Sequence, residues 1–258
     1  MKAVFITSTF DHYHVSSCQE AYRQLGDGFT FIATKPMPDS MKKLGFTDFS
    51  KVYPYVLNAY ESPENEKKAV SLCSEADVVI IGAAPAYYVE ERLKADKITF
   101  RFSERLFKKG YLSLLKPKNA AYLYKTVTRY RQNKNLFILC AGFYAAKDYH
   151  FIGVHKDKLL RWAYFSAVKP LDREYSTDVV RILWTGRFVK LKHPEYALAA
   201  ACKLRDSGIR FELNFIGMGP MEQVMQDYIR EHKLEDSVHI LGSMPTEQVQ
   251  KYMDNADI

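Results

Sequence analysis

The chain has 258 residues, of which 47% are hydrophobic and 26% are charged, and its formal net charge is +7. This composition is typical of a soluble globular protein with a real core, in one large domain or two small ones. It contains no run of 18 apolar residues that would span a membrane, and MKAVFITSTFDHYH is typical of a first strand and not of a signal peptide. Four widely scattered cysteines favour reduced thiols in a cytosolic protein: Cys18, Cys73, Cys140 and Cys202.

Short apolar runs alternate with helical stretches through the first 165 residues. The predicted strands cover residues 2–7, 29–35, 78–83, 98–102 and 135–140, and the predicted helices cover 15–25, 63–76 and 118–133. Strands separated by helical stretches of about 10 to 15 residues are typical of a parallel, doubly wound sheet. We therefore predict an α/β fold with a Rossmann-like amino-terminal domain at 1–165.

The sequence SAVKPLDREYSTD at 166–178 interrupts this pattern with a proline and five charged residues. We interpret it as a linker to a second domain at 179–258. There the pattern restarts, with strands at 179–185, 210–216 and 237–241 and helices at 194–206, 220–233 and 246–255. Asp257 and Ile258 are expected to begin a further strand. Because three strands are too few for a doubly wound unit, we expect the chain to end inside this domain.

The first strand of the second domain runs into the sequence GRFVKLKHP, which places Arg187, Lys190 and Lys192 in the loop at its carboxyl end. Ligands of open α/β sheets bind at this edge. Gly186 lets the backbone turn and a ligand approach closely. Arginine can donate two parallel hydrogen bonds to phosphate oxygens from its planar guanidinium group, and lysine supplies a compact positive charge. The loop therefore predicts a diphosphate site, and a solvated basic loop is the alternative that the residues alone leave open.

Residues 182–258 resemble the donor domain of GT-B glycosyltransferases of family four. The matching features follow in order: a strand into Gly-Arg with a lysine five residues later, a strand into IGMGP, then VHILGSMP and NADI. The resemblance implies two Rossmann-like domains, the second incomplete. It also implies a retaining, metal-independent transfer from a nucleoside-diphosphate sugar, which is a substrate, so that no cofactor is expected. The donor diphosphate is assigned to Arg187 and Lys192 with Gly186 at the turn, and Lys190 is left solvated.

The same resemblance implies a polysaccharide or lipid-linked glycan as the acceptor, because similar bacterial enzymes build surface polysaccharides such as capsule. In this family a Glu-x7-Glu element holds the donor ribose and sugar, and it would follow Ile258. We therefore expect the 258-residue chain by itself to transfer sugar poorly or not at all. The sequence does not identify the donor sugar, the base, the acceptor, the linkage or the oligomeric state.

Three residues of the amino-terminal half are candidates for catalysis, although its resemblance to the family is weaker. The first loop reads TSTFDHYHVS where many relatives have two glycines. In it, His12 and His14 could contact the acceptor or the donor diphosphate, or simply line the loop. Glu104 follows the strand at 98–102 and could orient an acceptor hydroxyl. The alternative is that Glu104 pairs with a cation at position 101, 105 or 108. No metal site is predicted.

Other enzyme classes are weighed against this interpretation. IGMGP does not indicate a nicotinamide enzyme, because a G-x-G-x-x-G fingerprint from Gly217 would need glycine where the chain has Glu222. Two alternatives stay open: a nucleotide-sugar epimerase of similar architecture, and a non-catalytic sugar- or nucleotide-binding protein.

Residues 92–134 carry thirteen lysines and arginines against Asp96 and Glu104. On the predicted helix at 118–133 a basic stripe would contain Lys118, Tyr122, Lys125 and Arg129. A solvated helix is one interpretation of this stripe. With aromatic residues nearby, the segment favours contact with an anionic membrane surface or a polyanionic acceptor. No nucleic-acid-binding motif accompanies it, so nucleic acid is not a predicted partner. The expected location is the cytoplasm, with peripheral attachment to the inner face of the plasma membrane.

Overall fold

A computed structural model of the chain describes residues 1–43, 45–108, 110–112, 116–165 and 178–258. The chain forms two compact units. The first consists of Met1–Met37 and Asp48–Ala167, and the second of Pro38–Thr47 and Val168–Ile258. The sequence-based boundaries placed residues 38–47 in the first domain. The predicted linker at 166–178 lies outside the described residues, apart from its last residue.

The described part of the first unit contains a seven-stranded sheet in the order β3-β2-β1-β4-β5-β6-β7, and every pairing in it is parallel. The strands are β1 (Ala3–Thr7), β2 (Phe29–Ala33), β3 (Val56–Asn58), β4 (Val78–Ile81), β5 (Thr99–Ser103), β6 (Leu136–Ala141) and β7 (Leu159–Trp162). The chain reverses its direction across the sheet between β1 and β4, where Phe5 pairs with Phe31 on one side and Ile80 on the other. This reversal is the switch point at which such sheets open a crevice.

Helices cover both faces of this sheet. Those of the first 165 residues are α1 (His12–Leu25), α2 (Asp39–Lys42, in the segment that belongs to the second unit), α3 (Pro63–Glu75), α4 (Glu90–Lys94), α5 (Pro117–Thr126) and α6 (Phe143–Phe151). On one face, Ile6 and Val79 pack with Ala69 of α3, and on the other, Phe5 and Phe31 pack with Cys18 of α1. Because alternate strand residues point to opposite faces, these two groups form separate clusters. A third cluster forms where Ile138 and Cys140 of β6 pack with Ala145 and Tyr149 of α6.

The predicted helix at 118–133 is shorter in the structure. α5 ends at Thr126, and a single 3₁₀ turn covers Thr128–Tyr130. The run Thr126-Val127-Thr128 consists of β-branched residues, which lose side-chain freedom in a helix, and Val127 leaves the helical conformation at φ −137° while its side chain is buried. Arg129 therefore does not share one helix with Lys118 and Lys125, so the predicted continuous stripe was wrong.

In the second unit, the described residues form a three-stranded parallel sheet in the order β10-β9-β8. Its elements are β8 (Val180–Thr185), α7 (Pro194–Asp206), β9 (Phe211–Ile216), α8 (Glu222–Glu231), β10 (Val238–Gly242) and α9 (Thr246–Asn255). Each boundary lies within two residues of its predicted position. Phe211, Leu213 and Phe215 of β9 form the core against Leu198 of α7 and Met225 of α8.

Two further segments join the second sheet or its helices. The Asp257 N–H donates to the Arg181 carbonyl (2.6 Å) and the Leu183 N–H donates to the Ile258 carbonyl (2.9 Å), on the edge of β8 opposite β9. Residues 38–47 are held by hydroxyl hydrogen bonds: Ser243 to the Lys43 carbonyl (3.0 Å) and Thr246 to the Gly45 carbonyl (3.2 Å). The predicted α/β class with two parallel sheets is confirmed. No helix in the described ranges combines the length and apolarity needed to cross a bilayer.

Candidate functional site

The loop that follows β8 is anchored by one buried aromatic side chain. Phe188 is 0% exposed, and its ring centroid lies 5.7 Å from that of Trp184 and 6.3 Å from that of Phe215. Aromatic pairs at these separations stabilise a core beyond the area they bury. The residue before Phe188, Arg187, is exposed. The sequence Gly-Arg-Phe therefore anchors the backbone beside Arg187 and presents its exposed cation at the carboxyl edge of the sheet.

Main-chain hydrogen bonds join the loops that follow the three strands. Amide donors of one loop reach carbonyl acceptors at or beyond the end of the neighbouring strand: Gly186 to Ile216 (3.0 Å), Phe188 to Met218 (3.0 Å), Gly217 to Gly242 (2.9 Å) and Met221 to Phe188 (3.1 Å). These bonds satisfy backbone groups that would otherwise be unpaired at the strand ends. The three loops therefore form one continuous layer above the sheet.

Two glycines allow the loops to approach this closely. A Cβ atom added at Gly217 would overlap the carbonyl oxygen of Gly186, and one added at Gly219 would lie 2.5 Å from the carbonyl oxygen of Phe188. Real Cβ atoms do not approach backbone atoms at such distances. The IGMGP sequence thus serves loop packing here, and this packing explains its glycines without a dinucleotide.

Arg187 and Lys192 are both exposed in this layer, as is Lys190. None of the three side chains has a hydrogen bond or ion pair with another described residue. Lys190–Lys192 forms a 3₁₀ turn, and His193 then adopts a left-handed conformation (φ 51°, ψ 50°) immediately before α7. The predicted donor residues therefore lie at the carboxyl edge of β8, with their charges available to a ligand.

The amino-terminal end of α7 already carries a carboxylate. Hydrogen bonding to its own backbone N–H, and then to the His193 ring at 2.9 Å, lowers the pKa of Glu195. An added anion would meet this negative charge at the helix end. A diphosphate at this edge would accordingly depend on Arg187 and Lys192 more than on the α7 dipole.

A second set of candidate residues follows β1 in the first unit. Asp11 caps α1: its Oδ1 accepts from the Tyr13 N–H (3.0 Å) and lies 3.0 Å from His14 Nδ1. The His14 ring packs edge-on against Phe5 at 5.4 Å. The hydrogen bond and the aromatic packing together hold His14 against the core, which favours a structural role for it.

His12 lies at the first position of α1 and is half-buried. Its ring centroid is 4.1 Å from that of Tyr13. Burial lowers the pKa of His12 below its usual value, against the opposing effect of the Asp11 charge. The imidazole is therefore neutral at pH 7, the form that can accept a proton.

Glu104 directly follows β5 at the same edge of the first sheet. Its Oε1 accepts from the Tyr164 hydroxyl (2.7 Å), and its Oε2 accepts from Lys108 Nζ. These two hydrogen bonds, the one from Lys108 foremost, lower the pKa of Glu104. Arg105, a possible partner in the sequence, instead approaches the buried Asp148 carboxylate at 3.4 Å. Glu104 is thus ionised, paired with Lys108, and still 44% exposed at its side chain.

The structure brings His12 and Glu104 to one edge of the first sheet, with two tyrosines between them. The Tyr13 and Tyr164 ring centroids lie 5.1 Å apart. Neither tyrosine was identified from the sequence. Tyr13 stands between the two candidate histidines and could have been noticed there, whereas Tyr164 follows β7, a short strand without a recognisable pattern. Among the described residues, no group of three or more His, Cys, Asp or Glu side chains is arranged to hold a metal ion.

Comparison with known proteins finds a family match in the carboxyl-terminal third of the chain. Residues 173–258 match the family described as "Glycosyl transferases group 1". A related protein is the amylovoran biosynthesis glycosyltransferase AmsK of Erwinia amylovora, 35% identical over 79 residues, which are 31% of this chain and 19% of AmsK. The matched segment therefore spans about a fifth of that relative.

Solved structures show the same fold over most of the chain. The lipopolysaccharide outer core galactosyltransferase WaaB has a TM-score of 0.57 at 15% identity and covers 99% of this chain and 72% of its own. HepE of Anabaena, solved in complex with UDP, has a TM-score of 0.59 at 10% identity and covers 94% of this chain and 69% of its own. Residues 173–258 thus match the group 1 glycosyl transferases, and the chain shares the GT-B fold of these solved structures.

Proposed function

We propose that the protein is a glycosyltransferase that takes a hexosyl group from a nucleoside-diphosphate sugar and transfers it to a growing polysaccharide or a lipid-linked glycan. The observation that carries this proposal is the loop after β8, where Arg187 and Lys192 are exposed within a segment that matches the group 1 glycosyl transferases. A sugar nucleotide presents two adjacent phosphates at its centre. Two cations on one rigid loop suit that charge.

The expected strength of such a contact is enough to be measured in a binding experiment. One unit charge about 4 Å from a phosphate contributes roughly 4 kcal/mol at an effective dielectric near 20, before desolvation is subtracted. A hydrogen bond to a charged group retains about 1.5–3 kcal/mol of this as net stabilisation. Because Phe188 anchors the loop, little backbone ordering remains to be done on binding, and the main ordering cost is that of the exposed Arg187 and Lys192 side chains.

The names of related proteins agree with this substrate class. AmsK is named for amylovoran biosynthesis, and HepE has been solved with UDP and with UDP-glucose. We infer a uridine nucleotide as the first donor to test and a polysaccharide as the acceptor class. Retention of the anomeric configuration, independence of metal ions and the absence of a cofactor are parts of the same proposal, since they follow from the family resemblance.

The first unit would receive the acceptor. Glu104 is the leading candidate to orient an acceptor hydroxyl, because it is an ionised and exposed hydrogen-bond acceptor at the carboxyl edge. His12 is the second candidate, because its imidazole is neutral at pH 7. His14 is the weakest of the three, since its ring is packed against Phe5 and bonded to Asp11.

Nucleotide binding gives the direct test of the donor site. We expect UDP, or one of GDP, ADP and dTDP, to bind in isothermal titration calorimetry. Arg187→Ala and Lys192→Ala should each weaken binding about 10- to 100-fold, in line with a charged hydrogen bond. Lys190→Ala, in the same loop, is the matched control and should bind as wild type does. Equal binding by all variants, or no binding of any of the four nucleotides, would contradict the proposal.

Product analysis separates the transferase from its alternatives. Incubation with UDP-glucose and no acceptor should leave the sugar configuration unchanged. Its interconversion to another sugar would indicate the nucleotide-sugar epimerase. Nucleotide binding without transfer by any longer form of the chain would indicate the non-catalytic binding protein.

Fewer cations of the basic segment at 92–134 are exposed in the structure than the sequence suggests. Several of its cations are engaged inside the first unit: Arg92 and Arg101 are buried, Arg105 lies against Asp148, and Lys108 pairs with Glu104. The exposed cations concentrate around α5, where Lys118 and Lys125 accompany Tyr124, which is 59% exposed. We infer that this smaller surface, α5 with Arg129, attaches the protein to the inner face of the plasma membrane.

Vesicle co-sedimentation tests this attachment. Binding should rise with the fraction of anionic lipid and fall with salt. Reversing the charges of Lys118, Lys125 and Arg129 together should weaken it by about 1 kcal/mol per residue. Reversal of Lys67, Lys68 and Lys203, which are exposed outside this surface, is the matched control. Binding that does not change with lipid charge, with salt or with charge reversal at Lys118, Lys125 and Arg129 would contradict the membrane proposal.

A further inference from the structure

The two tyrosines at the carboxyl edge of the first sheet form a paired aromatic surface. Tyr13 and Tyr164 come from different elements, the first turn of α1 and the segment after β7, yet their ring centroids are 5.1 Å apart with the planes inclined at 48°. Tyr13 is 39% exposed and Tyr164 is 43% exposed. Phe102 of β5 supports Tyr164 from below at 5.4 Å, edge to face. Packing therefore supports the Tyr164 ring, and more than a third of each tyrosine is accessible to solvent.

A carboxylate adjoins this aromatic surface. The Tyr164 hydroxyl donates to Glu104 Oε1, so that the ring orientation and the carboxylate position depend on each other. The hydrogen bonds from Lys108 and Tyr164 keep Glu104 ionised. An ionised carboxylate only accepts hydrogen bonds, and each of its oxygens has more than one lone pair. Glu104 can accept a further donor from a ligand that lies on the tyrosine rings.

Strand β4, which lies between the strands that precede Tyr13 and Glu104, is followed by small residues. β4 lies between β1 and β5 in the sheet and continues as Gly82 and Ala83. The Ala83 N–H donates to the Thr7 side-chain oxygen at 3.1 Å, and a Cβ added at Gly82 would lie 2.8 Å from that oxygen. The end of β4 is therefore held close to β1 with the smallest possible side chains. Small residues thus follow β4, between the strand that precedes Tyr13 and the strand that precedes Glu104.

We propose that Tyr13, Tyr164 and Glu104 form a subsite for one uncharged pyranose ring of the acceptor, an assignment that rests on the proposed glycosyltransferase function. A pyranose has one face of C–H groups and a rim of hydroxyls. The electron-rich faces of the tyrosine rings suit the C–H face, and the Glu104 carboxylate suits a rim hydroxyl as its donor. Tyrosine supplies this contact at a small loss of conformational entropy.

The same chemistry argues against a phosphate group in this subsite. Glu104 is ionised, and the nearby Asp11 is a further carboxyl group whose charge acts on Tyr164, with Lys108 as the cation paired with Glu104. A phosphate that replaced the sugar would face like charge at short range. The ring recognised here is thus the terminal sugar of the acceptor, not the phosphate of a lipid carrier.

Saturation-transfer NMR on the 258-residue protein tests the subsite without any donor. The probes are the methyl pyranosides of glucose, galactose, mannose and N-acetylglucosamine. At least one should show saturation transfer, strongest at its C–H protons on one ring face. Tyr13→Ala and Tyr164→Ala should weaken that binding about 5- to 10-fold. Tyr144→Ala removes a comparably exposed tyrosine from α6 and is the matched control.

Two conservative variants guard against a folding artefact. Tyr164→Phe keeps the ring and releases the carboxylate, and Glu104→Gln keeps the shape and removes the charge. Both variants should retain the circular dichroism spectrum of the wild type. Both should also weaken the binding of the pyranoside, but by less than the alanine variants do. UDP affinity should be unchanged in all of these variants, so a failed donor site and a failed sugar subsite give different results. No saturation transfer to any probe, or equal transfer in every variant, would overturn the proposal.

Discussion

Arg92 is the residue whose replacement should destabilise the first unit most. It is 1% exposed. Its guanidinium donates to one hydroxyl and four carbonyl groups: Thr99 Oγ1 (2.9 Å), Ala76 O (3.1 Å), Ile98 O (2.6 Å), Asp77 O (3.4 Å) and Cys73 O. These groups belong to the carboxyl end of α3 and to the starts of β4 and β5. The cation therefore joins three elements at the amino edge of the sheet, where the α3 dipole is negative.

The size of the effect follows from these bonds. Arg92→Met preserves most of the side-chain volume but removes the guanidinium donors from all of these groups, of which the Ile98 carbonyl keeps the Val79 N–H at 3.4 Å. A buried acceptor that loses its partner costs about 1–3 kcal/mol. Part of this total cost is offset, because water can enter the space and because a buried charge is removed. We expect the free energy of unfolding of the first unit to fall by about 3–5 kcal/mol, at the upper end for single substitutions.

Urea unfolding measured by tryptophan fluorescence can isolate this unit. The chain has two tryptophans, Trp162 in the first unit and Trp184 in the second. In a Trp184→Phe background, the remaining signal reports on the first unit. Arg129→Met is the control, because Arg129 is half exposed and lies 4.0 Å from its partner Glu90, and such pairs contribute about 0–1 kcal/mol. If Arg92→Met costs less than about 1 kcal/mol, the hydrogen-bond account is wrong.

Three further outcomes are expected. Gly217→Ala should lower the thermal midpoint reported by Trp184 and weaken nucleotide binding, because its Cβ would overlap the Gly186 carbonyl oxygen; an unchanged midpoint would contradict the packing described for the loops. Asp148→Asn should destabilise the first unit by about 1–3 kcal/mol, since the buried carboxylate accepts from the Phe107 N–H at 3.0 Å and faces Arg105, whereas Asp157→Asn, at an exposed site, should have no measurable effect in the same urea assay. Because burial lowers the pKa of His12, the unfolded chain takes up a proton near pH 6.5 while the folded chain takes it up only at lower pH. Stability of the first unit should therefore fall as the pH drops below 6.5 and should fall less steeply in His12→Gln; equal slopes would show that His12 titrates alike in both states.

The second unit was predictable from sequence because its elements carry their own signals. Strand β9 has the sequence FELNFI, in which the alternation Phe211, Leu213, Phe215 faces the helices. Pro194 marks the first position of α7, and the glycines of IGMGP mark the end of β9. Local pattern and tertiary packing agree there, so the predicted boundaries differ from the observed ones by two residues at most.

The edges of the first sheet were not predictable in the same way. β3 has three residues and β7 has four, and neither alternates apolar with polar residues in a recognisable manner. α6 has the sequence FYAAKDYHF, in which Phe143, Tyr144 and Phe151 are exposed while Tyr149 is buried. Its aromatic positions therefore do not by themselves mark the buried face. These elements form because the neighbouring strands and their hydrogen bonds are already in place. Their formation therefore depends on contacts between residues that are distant in the sequence.

The two candidate sites differ in the same way, because only one of them has a local sequence signal. Arg187 and Lys192 follow a strong local signal and could be selected from sequence alone. The pairing of Glu104 with Tyr164 joins residues 60 positions apart. It depends on β7 lying beside β6 and on Tyr164 reaching back across the strand ends. No local pattern encodes such a contact, so the sequence identified the carboxylate but not the tyrosine that positions it.

The layer of loops above the second sheet has a consequence for how the protein can diverge. Its cohesion resides in main-chain hydrogen bonds, two glycines and the buried Phe188. Exposed side chains such as Arg187 and Met218 contribute little to holding it together. Substitution at those exposed positions can therefore change the surface that the loops present without loosening them, whereas a side chain at either glycine would clash with a neighbouring carbonyl group. Evolution can therefore vary the exposed surface of this layer one side chain at a time, at nearly constant stability.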